Sequence, residues 1–282
     1  MRGVYWAVMA ACFGAAVAAS SGERSQTPFS GPVSEVRLAL SPDGRRALWG
    51  VVASDAPTKI VISEKTHAGW SKPVSVPFNS AKNDFDPAFS ADGRTVYFYS
   101  DRDGGYGGSD LYSVAFDPKT GRWGEAVNLG PKVNSGGDEW APSISNDGKT
   151  LLFSSDGHGG FGKHDLFVAR WGKGGWGTPQ NLGPGINTAE EEFDAAFHPS
   201  GRMIVFAKGH FGDDTKVRLH FAERSRQGWQ DRGELPAPIN CGEQLNFGPS
   251  FPAAEPGVFY WSADCKDGFG RQDIWRAPLT LP

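Results

Sequence analysis

The chain is poor in sulfur, with three Cys and three Met in 282 residues. So few cysteines exclude a disulfide-dense scaffold and any Cys-rich zinc module. An excess of one charge is lacking too: 28 Lys and Arg face 32 Asp and Glu, for a net −4, and no basic run occurs. A nucleic-acid partner needs a basic footprint, so none is expected. Long apolar runs are missing apart from Val4–Val17, which is too short to span a bilayer. Catalytic signatures are missing as well. The chain has no Gly-x-Ser-x-Gly elbow, no His-Glu-x-x-His and no Cys/His pair at zinc spacing, so neither a hydrolase nucleophile nor a zinc site is expected.

What the chain has in abundance is turn formers and aromatics: 38 Gly, 20 Pro, 19 Phe and 10 Trp. They recur in order. Between Asp84 and Gly137, apolar runs at Ala88-Phe89, Val96–Tyr99, Leu111–Phe116 and Trp123–Leu129 read as four strands of a meander, with Asp92-Gly93 as the first hairpin turn. Trp70, Trp123, Trp176 and Trp229 open the fourth run of successive copies at a constant step of 53 residues. The turn recurs as Asp43-Gly44, Asp147-Gly148 and Ser200-Gly201, and degrades to Glu255-Pro256-Gly257. Four strands per period, repeated at this length, mark an all-β protein forming a single β-propeller.

Ser90–Arg94, Phe98–Ser100 and Asp110–Tyr112, repeated as Ser145–Lys149, Phe153–Ser155 and Asp165–Phe167, resemble the TolB-like, WD40-like propeller repeat of bacterial envelope proteins. The tails Asn128–Pro131 and Asn181–Pro184 are similar to the version found beside OmpA-type domains. The resemblance covers nearly all of the chain after its leader. It implies a propeller fold and an envelope setting, and it carries no activity with it, because propellers host unrelated functions.

Residues 1–20 read as a cleaved secretory signal peptide, with Arg2 ahead of the apolar run and small residues at its end. Met9–Cys12 departs from a lipoprotein box, so lipidation at Cys12 is not expected. The rest divides into five four-stranded blades at about 34–83, 84–137, 138–190, 191–243 and 244–282. The fifth copy stops after its third strand at Asp273–Arg276, while a spare strand lies at 25–33. An N-terminal strand completing the last blade accounts for both and removes exposed edges.

In an oxidising compartment Cys241 and Cys265, on loops at the same end of the propeller, are expected to pair. Asp101–Gly105 and Asp264–Gly268 lack the acidic ligand that closes a calcium loop, and His158, His164 and His210 read as solvated loop residues, so no metal and no cofactor are expected. Acidic residues precede the first strands of successive blades: Asp84 and Asp86, Asp138 and Glu139, Glu191, Glu192 and Asp194, and Glu243. First strands surround the central channel, which places these carboxylates, with Trp140, around one mouth. Three readings stay open. The acids cap loops and pair with basic residues; or they bind an envelope protein, peptide or glycan; or two of them form a glycosidase pair about 5–9 Å apart, as in five-bladed sugar hydrolases. The Gly-rich loops at Gly104–Gly108 and Gly157–Gly162 share that end, and Tyr106, Phe161 and Phe269 are candidate contact aromatics. The expected function is a non-enzymatic, monomeric, periplasmic or secreted binding scaffold, with the glycoside hydrolase as the alternative.

Overall fold

A computed structural model describes residues 19–212 and 214–282. Residues 1–18 of the expected leader, Cys12 among them, lie outside the described residues, as does Asp213. The described chain is all-β: five antiparallel sheets follow one another in sequence order, making a five-bladed β-propeller. No helix of the described residues is long and apolar enough to cross a membrane.

Blade two shows the pattern, with strands Asp84–Phe89, Thr95–Ser100, Asp110–Asp117 and Arg122–Asn128 running from channel to rim. The inner strands of the others are Ser34–Leu40, Glu139–Ile144, Glu191–Phe197 and Asn246–Ser250. In blades one and three the outermost strand is split in two, as Gly69–Trp70 with Val74–Ser75 and as Gly175–Trp176 with Gln180–Asn181. The hydrophobic residues pack between blades rather than within them. One cluster joins Leu48 and Ile60 of blade one to Phe98 and Tyr112 of blade two, and four others fill the remaining interfaces.

The repeated Ser-x-Asp-Gly-basic signature is turn chemistry. Ser90 Oγ donates to Asp92 Oδ1 at 2.7 Å and accepts from Thr95 N, and Asp92 Oδ1 accepts from Arg94 N. Gly93 supplies the left-handed backbone at φ 67°. The Ser90 hydroxyl and then the Arg94 amide hold the Asp92 carboxyl below the usual range. Blade three repeats this with Ser145 and Asp147 at 2.6 Å. A motif so completely used by its own turn leaves little for a ligand.

Closure uses both ends of the chain. Ser25–Gln26 pairs with Arg276 and Trp275 on the outer side of Asp273–Thr280, and Ser20-Ser21 extends the contact to Thr280 and Leu279. The paired residues thus lie just before Thr27, which adds one amide bond to Ile274 O. Beyond them Phe29 is buried between Trp49 and Trp70, at 5.1 and 5.0 Å between ring centres. A disulfide joins Cys241 to Cys265 with Cα atoms 5.2 Å apart. It ties the connection between blades four and five to the loop leading into Asp273–Thr280, constraining the unfolded chain by about 3 kcal/mol for a loop of this length.

Candidate functional site

The inner strands share one irregularity. In each, pairing with the second strand slips by one residue, between Val36 and Ala39, Phe85 and Ala88, Trp140 and Ser143, Phe193 and Ala196, and Phe247 and Ser250. Inside each bulge sits a left-handed residue: Arg37, Asp86, Ala141, Asp194 or Gly248, with φ between 47° and 60°. Such a backbone costs a non-glycine residue roughly 1–2 kcal/mol, and strain of this kind concentrates where side chains must be aimed.

Three of the five aim charge into the channel. Arg37, Asp86 and Asp194 are each no more than 4% exposed. Arg37 Nη2 donates to Pro142 O and Ala195 O, both at 3.2 Å, and Nη1 stands 3.9 Å from Asp194 Oδ1. The Asp86 and Asp194 carboxyls are buried close enough together for the charge of Asp194 to act on Asp86. Burial pushes Asp86 well above the usual carboxylate range, and the Asp194 charge adds to it. Asp194 is raised less, because Arg37 and the amide of Gly248 favour its ionised form. The two carboxyls share one buried cation, and they titrate as a pair.

Above this floor opens a cavity of about 220 Å³ on the long-loop face. Its walls are the residues that precede the left-handed positions, Val36, Phe85, Trp140, Phe193 and Phe247, joined by Tyr99 and Phe211. Phe85 and Tyr99 stack at 4.9 Å, and Phe211 packs on Phe193 at 5.3 Å. The opposite mouth, among the tight turns, is lined by Arg37, Phe89, Ile144, Phe197 and Phe251.

The acidic ring anticipated from sequence thus splits. Asp86 and Asp194, with Trp140, meet in the basin. Asp84, Glu139 and Glu192, two residues before the left-handed positions, are fully buried and fasten the connections between blades. Each accepts the amide four residues upstream, from Ser80, Ser135 or Thr188, and the same residue's hydroxyl. Asp84 also receives Arg102 at 2.5 Å. Glu35 and Asn246 complete the set, accepting from Gly31 N and Gly242 N. Asp138 accepts from Ser109 N, Glu191 stands beside His164, and Glu243 is an exposed partner of Lys266 at 2.8 Å.

Two further expectations change. The glycines of the long loops are there for packing: a Cβ at Gly105, Gly160 or Gly268 would lie within 2.4 Å of a carboxylate oxygen of Asp110, Asp165 or Asp273. Those carboxylates accept the amides of Tyr106, Phe161 and Phe269, folding each loop back on its strand. The three rings are nonetheless exposed, at 52%, 51% and 69%. The loop histidines do not meet. His158 bonds Val133 O and His210 bonds Asp214 O, while His164 is buried under Trp140 rather than solvated.

The buried carboxyls carry a pH signature. Burial pushes Glu35 from 4.5 to about 7, opposed by the Gly31 amide and assisted by Asp273. A carboxyl protonated more readily in the folded than the unfolded chain binds more protons when folded, so its contribution is lost as pH rises from about 4.5 to about 7. Glu35→Gln, which keeps an acceptor for Gly31, is expected to stabilise the protein at pH 8 by about 1–2 kcal/mol and to leave it unchanged at pH 4. Thermal melts at the two pH values check this, and equal differences at both would refute it.

No family model matches the chain, and no curated protein matches it. Solved structures do. TolB from Acinetobacter baumannii aligns over 87% of this chain at 16% identity and TM-score 0.53, and this chain spans about half of it, 54%. A TolB candidate from Agrobacterium tumefaciens aligns over 87% of this chain and 74% of its own, at 18% identity and TM-score 0.52. An α-L-arabinofuranosidase from Podospora anserina, solved with cellotriose, covers 91% of this chain and 96% of its own at 11% identity and TM-score 0.60. At such identities these likenesses show the fold alone: the protein is a five-bladed β-propeller whose structural neighbours include TolB proteins and a glycosidase.

Proposed function

We propose that this protein is a non-enzymatic β-propeller of the bacterial cell envelope, which takes a side chain or short segment of a partner protein into its aromatic basin. The observation that carries this reading is the basin itself. A cavity of about 220 Å³ holds one large side chain, its walls are aromatic, and its floor offers the two buried carboxyls of Asp86 and Asp194. Phe211 stands in its wall, and Tyr106, Phe161 and Phe269 lie on loops of the same face, all four at least 45% exposed. Exposed aromatics on the face of a pocket are the composition of a binding hot spot. The leader expected from the sequence and the disulfide fit an oxidising compartment outside the cytoplasm.

The glycosidase alternative needs two carboxyls about 5–9 Å apart, with a sugar or water between them. Asp86 and Asp194 are instead buried together, with Arg37 beside Asp194. Asp84, Glu139 and Glu192 are consumed by the backbone. These five carboxyls are engaged in the fold rather than set apart as an acid and a nucleophile.

The test is a pull-down from envelope extract with wild-type protein and with a Tyr106→Ala/Phe161→Ala double variant, alongside a glycan-hydrolysis screen. A stoichiometric partner, retained by wild type and at least tenfold weaker in the variant at unchanged melting temperature, is the expected result. Sugar release by wild type sinks the reading. A melting temperature that falls together with binding would make the rings packing residues and remove the face assignment.

A further inference from the structure

At the top of blade three, three side chains that the basin does not use come together. They are Asp138, just before the inner strand, Asp156, just after the second, and His164, just before the third, and their ligating atoms all lie within 4.8 Å of one another. Each carboxylate is oriented by a backbone amide through one oxygen. Asp138 Oδ1 accepts from Ser109 N at 2.6 Å, and Asp156 Oδ1 accepts from Asp138 N at 2.7 Å. Their Oδ2 atoms are left for something else.

His164 is the independent sign that this something is a cation. Its side chain is 7% exposed, and Nδ1 stands 3.1 Å from Glu191 Oε2. A carboxylate only accepts, so the hydrogen sits on Nδ1 and the neutral ring carries its lone pair on Nε2. That Nε2 is buried and has no hydrogen-bond partner. A buried acceptor without a partner is costly, and it needs an explanation. The ring is also clamped flat against Trp140, 3.7 Å between centres, so it cannot turn to find one. A histidine whose Nδ1–H is held by a carboxylate while Nε2 faces other ligands is the arrangement by which proteins orient a metal-binding imidazole.

We propose that Asp138, Asp156 and His164 bind a divalent transition-metal ion of the zinc class, with Glu191 orienting the imidazole. One nitrogen and two carboxylate oxygens suit zinc better than calcium, which prefers six to eight oxygens. Three protein ligands leave a fourth position open, and Asp156, which is exposed, puts it on the solvent side of the long-loop face. The ion would join three successive elements of blade three and, through Glu191, the inner strand of blade four. This site is separate from the basin floor and does not depend on what the basin binds.

Chelator-treated, tag-free protein titrated with zinc chloride in a calorimeter tests the proposal. One site per chain is expected in wild type. Asp156→Asn keeps the oxygen that accepts from Asp138 N and should fold normally, yet bind at least tenfold more weakly. Glu191→Gln, which touches no metal, should weaken binding by about 10–100-fold, as loss of an orienting partner does. Absence of saturable one-to-one binding in wild type, or an unchanged affinity in Asp156→Asn, would overturn the assignment. Melting curves with and without zinc give a second readout: a rise in wild type that is absent in Asp156→Asn supports the site, and an equal rise in both refutes it.

Discussion

Arg37→Met is expected to destabilise the protein by about 3 kcal/mol, a fall in melting temperature of roughly 6–12 °C for a chain of this size. Methionine fills much of the volume but leaves Asp194 in the channel without the cation beside it. The direction follows from the burial of all three groups and from the two carbonyls, Pro142 O and Ala195 O, that lose their donor. Two controls isolate the electrostatic part. Adding Asp194→Asn removes the stranded charge and should recover a substantial share of the loss. Lowering the pH should also shrink the deficit, since protonating Asp194 achieves the same end. A deficit identical at pH 4 and pH 8 would mean that Arg37 acts through packing alone.

The second large effect concerns closure. Deleting residues 21–33 removes the strand on Trp275 and Arg276, the Phe29 ring wedged against Trp49 and Trp70, and the Gly31 amide bonded to Glu35. The outer edge of Asp273–Thr280 would then be open to pair with another molecule. Aggregates on size-exclusion chromatography are expected. Phe29→Ala is the milder form. It should stay monomeric while losing about 3–5 kcal/mol, the usual cost of truncating a buried phenylalanine. A truncated protein that elutes and melts like the parent would show that the last blade is stable without its N-terminal strand.

The repeat was legible because its markers are local. Ser-x-Asp-Gly needs only a hydroxyl, a carboxylate and a glycine within four residues, and the tryptophans at a step of 53 residues keep phase with the blades. Closure was legible because the spare and the missing strand balance. The site was only half legible. Acidic residues cluster before each inner strand, but nothing in composition separates Asp84, which holds a loop, from Asp86, which faces the channel. That distinction depends on a bulge, and a bulge is a property of strand pairing. Knowing the bulge, the turn finds Arg37, because Arg37, Asp86, Ala141 and Asp194 each stand six residues before Asp43, Asp92, Asp147 and Ser200. The role of the long-loop glycines is not legible for a related reason. Glycine permits both flexibility and close approach, and only the nearby Asp110, Asp165 and Asp273 oxygens show which of the two is in use here. His164 reads as solvated from sequence because burial by a stacked Trp140, 24 residues earlier in the chain, leaves no trace in its neighbours.

Closing the ring through its N-terminal strand also sets a timetable. Ser30 bonds Ile274 across 244 residues, so the contact that seals the ring joins segments far apart in the chain. Until both have reached the compartment where the protein folds, blades one to four can form in turn, each against the one before, while Ser25–Phe29 waits unpaired. The half-built protein is then an open arc with an exposed strand edge, and a helper that shields the earlier segment would act during export and be superfluous once Asp273–Thr280 has paired.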